Sequence, residues 1–147
     1  MKKMSSKIIA AIIIIAIVAI AIGLGNKYIY GPSTKGAKTL TITIEDQMNN
    51  KVIMNKEVFH TDAKTLDQFM QENKTELGAE IKQEYGMPFL LGLKGLKTTD
   101  MKTGPWWMYG FTDKAANLDY KVGAAPAMDK VMLGKDSTVT FAFTNKY

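Results

Sequence analysis

Residues 39–59 read "TLTITIEDQMNNKVIMNKEVF", and how this stretch is parsed decides the fold. Leu40, Ile42 and Ile44 fall on one side of an extended chain and the intervening threonines on the other, because successive strand side chains point to opposite faces. That alternation predicts a half-buried strand. Residues 47–50, "QMNN", are turn formers, so residues 52–59 read as the returning strand and 39–59 as a β-hairpin.

The period changes after the hairpin. Leu66, Phe69 and Met70 share one helical face, with Leu77 close to it. Thr65 and Gln68 make a T-x-x-Q capping box, so a helix is predicted from there to about Asn73, with a break at Gly78. Residues 79–85 stay open, because "AEIKQE" accepts a second short helix. Beyond them the pattern predicts a strand over 89–93, a polar loop "KTTDMKTG", and a strand over 105–112. An irregular excursion over 113–127 follows, then a short strand over 130–133. A turn at Gly134-Lys135-Asp136 leads to a last strand with Val139, Phe141 and Phe143 on one face. Hairpin, helix, then further strands is an α+β order, and the expected architecture is a β-grasp-like mixed sheet with one main helix.

Ahead of this domain stands "MKKMSSKIIAAIIIIAIVAIAIGLG". Lys2, Lys3 and Lys7 form a basic head, and Ile8 to Leu24 is an apolar run of 17 residues without amphipathic period. Its length is at the lower limit for a membrane-spanning helix and beyond most signal-peptide cores, so residues 1–25 read as a signal anchor. Small residues at Ala19, Ala21 and Gly23 keep a cleaved signal peptide open as the alternative. Residues 26–38 have the composition of a tether, and 39–147 form the domain. The basic head stays cytoplasmic, which places the domain outside, on the cell membrane or secreted.

The formal charge of +5 hints at nucleic acid, but three of the 19 basic residues lie in the head. The remaining 16 face 14 acids with no basic block, so no nucleic-acid partner is expected. All the basic residues are lysine, which with the many Ile and Asn suits an AT-rich bacterial genome. The absence of cysteine excludes disulfides, thiolate metal sites and a lipoprotein anchor.

Four short motifs resemble bacterial surface domains related to the C-terminal β-domain of transcobalamin and intrinsic factor. They are Thr65-Leu66-Asp67-Gln68-Phe69-Met70, Tyr85-Gly86-Met87-Pro88-Phe89, Trp106-Trp107-Met108-Tyr109, and Gly134-Lys135-Asp136-Ser137-Thr138-Val139-Thr140-Phe141. The resemblance spans about residues 39–145, and it departs where Phe111-Thr112-Asp113-Lys114 replaces the usual Asn-Gly. It implies a cobalamin-type (corrinoid) ligand. In those carriers a second, helical domain supplies much of the binding, so binding here would be weaker or shared with a partner.

Catalysis finds little support. His60 is the only histidine, and a serine triad would have to draw on Ser33 or Ser137, since Ser5 and Ser6 sit in the head. Carboxylates are scattered singly, with neither a calcium-loop nor an H-x-x-H spacing. The reading is therefore of no enzyme, no metal site and no intrinsic cofactor. The function expected instead is a binding domain for a small planar ligand. A cell-surface adhesion or assembly module, recruiting another protein or a cell-wall glycan, is the alternative.

The ligand is expected on the aromatic strand. Trp107, Tyr109 and Phe111 alternate into the core, which sends Trp106 and Met108 to the other face, where Gly110 leaves room for a ligand or backbone. Trp106, Trp107, Met108 and Tyr109, joined by Tyr85 and Phe89 from the preceding strand, are the candidate site residues. Outside the head, methionines stand at 48, 54, 70, 87, 101, 108, 128 and 132. Their ordinary role is adaptable core filling, whereas an exposed cluster would suit an apolar ligand.

Overall fold

A computed structural model of the protein describes residues 36–146. The anchor segment Ile8 to Leu24 and most of the tether lie outside the described residues. Among those described, no helix is long and apolar enough to cross a membrane.

The domain is mixed α+β and mostly strand. Strands β1 (Lys38–Asp46) and β2 (Lys51–Thr61) form the hairpin, followed by helices α1 (Leu66–Glu72) and α2 (Lys74–Leu77). Then come β3 (Glu80–Glu84), β4 (Met87–Leu93), β5 (Leu96–Lys97), β6 (Trp106–Asp113), β7 (Leu118–Tyr120) and β8 (Asp136–Thr144). Five strands make one sheet in the order β2-β1-β8-β6-β7, and β3-β4-β5 make a second. The first and last strands lie side by side and parallel in the middle of the large sheet, while every other pairing is antiparallel.

Register explains the core. Ile42 stands beside Val139 and Ile44 beside Phe141, while across β6 Trp107 stands opposite Phe143 and Phe111 opposite Val139. With Leu40 and Phe59 these residues form one apolar face. Helix α1 supplies the cover, with Leu66, Phe69 and Met70 all fully buried. The predicted cap is present, since Thr65 Oγ1 accepts from Gln68 N at 3.1 Å and Gln68 Oε1 accepts from Lys64 N at 2.9 Å. The hairpin turn is held by the buried Asp46 carboxylate, which accepts from the amides of Met48 and Asn49. On the opposite face stand Thr41, Thr43, Thr138 and Thr140, as the alternation requires.

One open segment is resolved and two expectations are corrected. The segment left open after Gly78 is strand: residues 80–84 pair antiparallel with β4 through the two-residue connection Tyr85-Gly86. Tyr85 and Gly86 take φ of 55° and 75°, the left-handed values of a type I′ hairpin turn. The strand predicted over 130–133 is instead a single 3-10 turn at Met128–Lys130, joined to the rest by an isolated bridge from Met132 to Thr65. Finally, the excursion over 113–127 contains β7, which pairs with the end of β6.

One ionisable group sits awkwardly in this arrangement. Glu57 stands opposite Ile42 on the core-facing side of β2. Burial pushes its carboxyl above the ordinary 4.5, Lys94 opposes that, and Glu76 adds to it. A raised folded value means that the native state holds the proton more tightly than the unfolded chain does. The contribution to stability is therefore present below the ordinary carboxylate range and is lost as pH rises through the raised value. Glu57→Gln is expected to raise the melting temperature at pH 7 and leave it nearly unchanged at pH 4. Because the site is partly exposed and Lys94 is lost as a partner, the gain stays below about 1 kcal/mol. Chemical denaturation of both proteins across that pH range measures it.

Candidate functional site

Strand β6 pairs with β8 from Trp106 to Thr112 but with β7 only from Phe111 to Asp113. Among the described residues no strand pairs with the other edge of β6 from Trp106 to Met108, and beside that stretch lies a cavity of about 350 Å³. The start of β4 (Met87, Phe89, Leu90) forms another wall, and Gly123, Ala125 and Ala127 close the third side. Trp106, Trp107, Met108 and Tyr109 all border the cavity. Neighbours on a strand point to opposite faces, so four consecutive side chains can share one cavity only where it wraps the strand's edge.

The two tryptophans thus have separate duties. Trp107 is buried at 5% exposure and its ring lies 5.0 Å from that of Phe143. Its Nε1 donates to the Leu96 carbonyl at 2.9 Å, so it ties the large sheet to the small one. Trp106 is half-buried, and its Nε1 donates to the Met101 carbonyl at 2.8 Å. Its ring lies so close over Gly104 that an added Cβ would come within 2.8 Å of it. Trp106 therefore holds the 98–105 loop, and with it Met101, against the cavity mouth.

Tyr109 fixes the opposite wall. Its hydroxyl donates to the Pro126 carbonyl at 2.8 Å, and its own carbonyl accepts from Gly123 N at 3.1 Å. Burial, with the Asp129 and Asp67 carboxylates, pushes the phenol up to about 12. It stays a neutral donor through any physiological pH. Thr98, also on the wall, donates through Oγ1 to the Pro105 carbonyl at 2.9 Å. Each of the four lining side chains that can donate a hydrogen bond (Thr98, Trp106, Trp107 and Tyr109) already does so to a backbone carbonyl. No charged side chain borders the cavity. What the wall offers is ring faces and thioether sulfur.

Five of the six expected site residues are brought together here: Trp106, Trp107, Met108, Tyr109 and Phe89. Tyr85 is not among them. It occupies the first position of the β3–β4 turn and is 88% exposed, because a left-handed turn position directs it away from the sheet. The space at Gly110 is also differently used. An added Cβ would meet the Tyr120 carbonyl oxygen at 2.7 Å and Val122 N at 2.8 Å, so backbone rather than a ligand makes the close approach.

Met87, Met101 and Thr98 were not among the expected residues. "YG" and "KG" are the hairpin signals of the β3-β4-β5 sheet, whose middle strand brings Met87 to the cavity. The methionines divide cleanly. Met54, Met70 and Met128 are core, Met48 and Met132 are exposed, and Met87, Met101 and Met108 border the cavity.

No family model matches the chain. No curated protein matches it either. Among solved structures it is similar to a "putative metal binding protein" from Ruminococcus gnavus ATCC 29149, with a TM-score of 0.52 at 16% identity. The alignment covers 75% of this chain and 99% of that one. At this identity the likeness is one of fold.

Elsewhere the chemistry is sparse. Among the described residues no three His, Asp or Glu side chains come together to hold a metal ion. His60 is exposed on β2, while Ser137 is buried on β8 with its Oγ accepting from Gly134 N at 3.2 Å. Strand β1 runs between the two. Ser33 lies outside the described residues.

Proposed function

We propose that the chain is a non-catalytic binding domain, held outside the membrane by Ile8 to Leu24, that seats a small ligand in the cavity beside β6. The observation that carries this reading is the wall itself: apolar, aromatic and rich in methionine, with its side-chain donors already engaged. Such a wall rewards a ligand that asks for no hydrogen-bond donors and is poorly matched to sugars or anions. The separation of His60 from Ser137 supports the non-catalytic part.

The mixed sheet with its first and last strands parallel is β-grasp-like, which suits kinship with the transcobalamin C-terminal domain. The ligand is nonetheless smaller than a whole corrinoid. A cavity of about 350 Å³ stands near the lower end of the roughly 300–1,000 Å³ range for small-molecule sites. It accepts one ring system or one edge of a larger group. The metal binding named for the R. gnavus protein has no hard-donor cluster to rest on among the described residues. Adhesion by strand addition is disfavoured at the free edge of β2, where a register shift and Lys56 at φ 50° interrupt the strand.

The test uses an uncharged naphthalene probe such as N-phenyl-1-naphthylamine. It should bind with enhanced fluorescence, and Trp106→Ala should weaken binding at least 10-fold while shifting the unfolding midpoint little. Trp106→Phe, which keeps an apolar ring but loses the bond to Met101, should retain most of the affinity. Unchanged probe binding in both Trp106→Ala and Met108→Ala would place the ligand elsewhere.

A further inference from the structure

Three of the methionines outside the head come from different segments yet border one cavity: Met87 at the start of β4, Met101 in the 98–105 loop and Met108 on β6. Met87 and Met101 are 40% and 53% exposed, which is unusual for residues whose ordinary use is core filling. Trp106 lies between Met101 and Met108 in the chain and borders the same cavity, with its indole Nε1 donating to the Met101 carbonyl. Accepting the cavity as the binding site, we infer that its ligand is a soft monovalent cation, Cu(I) or Ag(I), held by the thioethers of Met87, Met101 and Met108 against the Trp106 ring.

The donor chemistry selects this class. Thioether sulfur is a soft neutral ligand that binds Cu(I) and has little affinity for calcium, magnesium or zinc, which want carboxylate, imidazole or thiolate. The wall has none of those hard or charged groups. A monovalent ion with neutral ligands also leaves only one net charge in an apolar site, and an indole face lowers the cost of that charge through its quadrupole. Methionine has three rotatable bonds and adapts to a coordination geometry without moving the backbone. The two exposed members can then swing inward onto the ion from the rim. With no cysteine in the chain, thioether is the only sulfur ligand available.

Ag(I) is the probe, because it needs no reductant. The full chain, kept in mild detergent and labelled at the methionine ε-methyl carbons, is titrated with Ag(I) and followed by ¹H–¹³C correlation spectra and tryptophan fluorescence. One equivalent should shift the signals of Met87, Met101 and Met108 and quench fluorescence, leaving Met54, Met70 and Met128 in place. Met87→Leu combined with Met101→Leu should weaken Ag(I) binding at least 10-fold without moving the unfolding midpoint, since both side chains are exposed and the exchange conserves volume. Zinc and calcium should produce no shift. Equal shifts at the exposed Met48 and Met132, or undiminished affinity in the double variant, would overturn the assignment. If Ag(I) leaves the three signals unmoved while the naphthalene probe still binds, the cation class falls and the cavity reading stands. If neither binds, both fall.

Discussion

Phe69→Ala lowers the free energy of unfolding by about 3–5 kcal/mol, enough to leave a domain of this size barely folded at 37 °C. Phe69 is fully buried on the inner face of α1, and its ring meets that of Phe59 edge-to-face at 5.5 Å and 84°. Truncation removes a ring from the junction of helix and hairpin, and neither neighbour can fill the space. Leu66 and Met70, the other inward residues of α1, are already fully buried in packing of their own. An exposed residue of the same helix, Gln71, should accept alanine within about 0.5 kcal/mol. Its loss involves only a 3.4 Å bond to Asp67 on the solvent side. Urea denaturation of the two variants separates them, and equal midpoints would mean that α1 does not cover the sheet as described.

Trp107→Ala should be comparably severe, at about 3–5 kcal/mol, and for a partly different reason. The ring packs on Phe143, and its Nε1 is the donor that the Leu96 carbonyl uses across the two sheets. Trp107→Phe separates the two effects. It keeps an aromatic ring in place, so its cost should be smaller, near the roughly 1–3 kcal/mol of a carbonyl left without its partner plus some lost volume. Trp106→Ala serves as the paired control, and there the fold should survive while ligand binding suffers. A Trp106→Ala protein as unstable as Trp107→Ala would make both tryptophans structural and remove the support for a binding wall.

The contrast between the adjacent tryptophans shows what could be read from the chain alone. Alternation assigned Trp107 to the core with Phe111, and the cap at Thr65 and the inward residues of α1 followed from spacing. These are local rules, and they hold because one face of each element is buried. The cavity depended on something alternation does not encode, namely that β7 pairs with only the last part of β6. Where β7 no longer runs beside it, β6 contributes from both faces, so Trp106 and Trp107 can share a cavity while pointing opposite ways. Tyr85 was misplaced for a related reason. As part of a strand it would flank Phe89, but Gly86 behind it makes the pair a two-residue turn and sends the ring to solvent. Residues 128–133 failed because their apolar members, Met128, Val131 and Leu133, are buried by tertiary packing around a 3-10 turn and not by pairing.

The parallel pairing of β1 with β8 has a bearing on how the chain is made. Every residue from Thr39 to Asp46 takes its partner from the nine-residue strand β8, so the centre of the sheet stays vacant until residues 136–144 have been made. The hairpin and α1 emerge first, yet the apolar face they would share has no middle strand to close it. A nascent chain must keep Leu40, Ile42 and Ile44 from other contacts for the time it takes to make about a hundred further residues, several seconds at 5–20 residues per second. Folding therefore waits on one long-range closure and is slower than the short helices would suggest. A chain cut before Asp136 should emerge not as a weakened domain but as one whose two halves never meet.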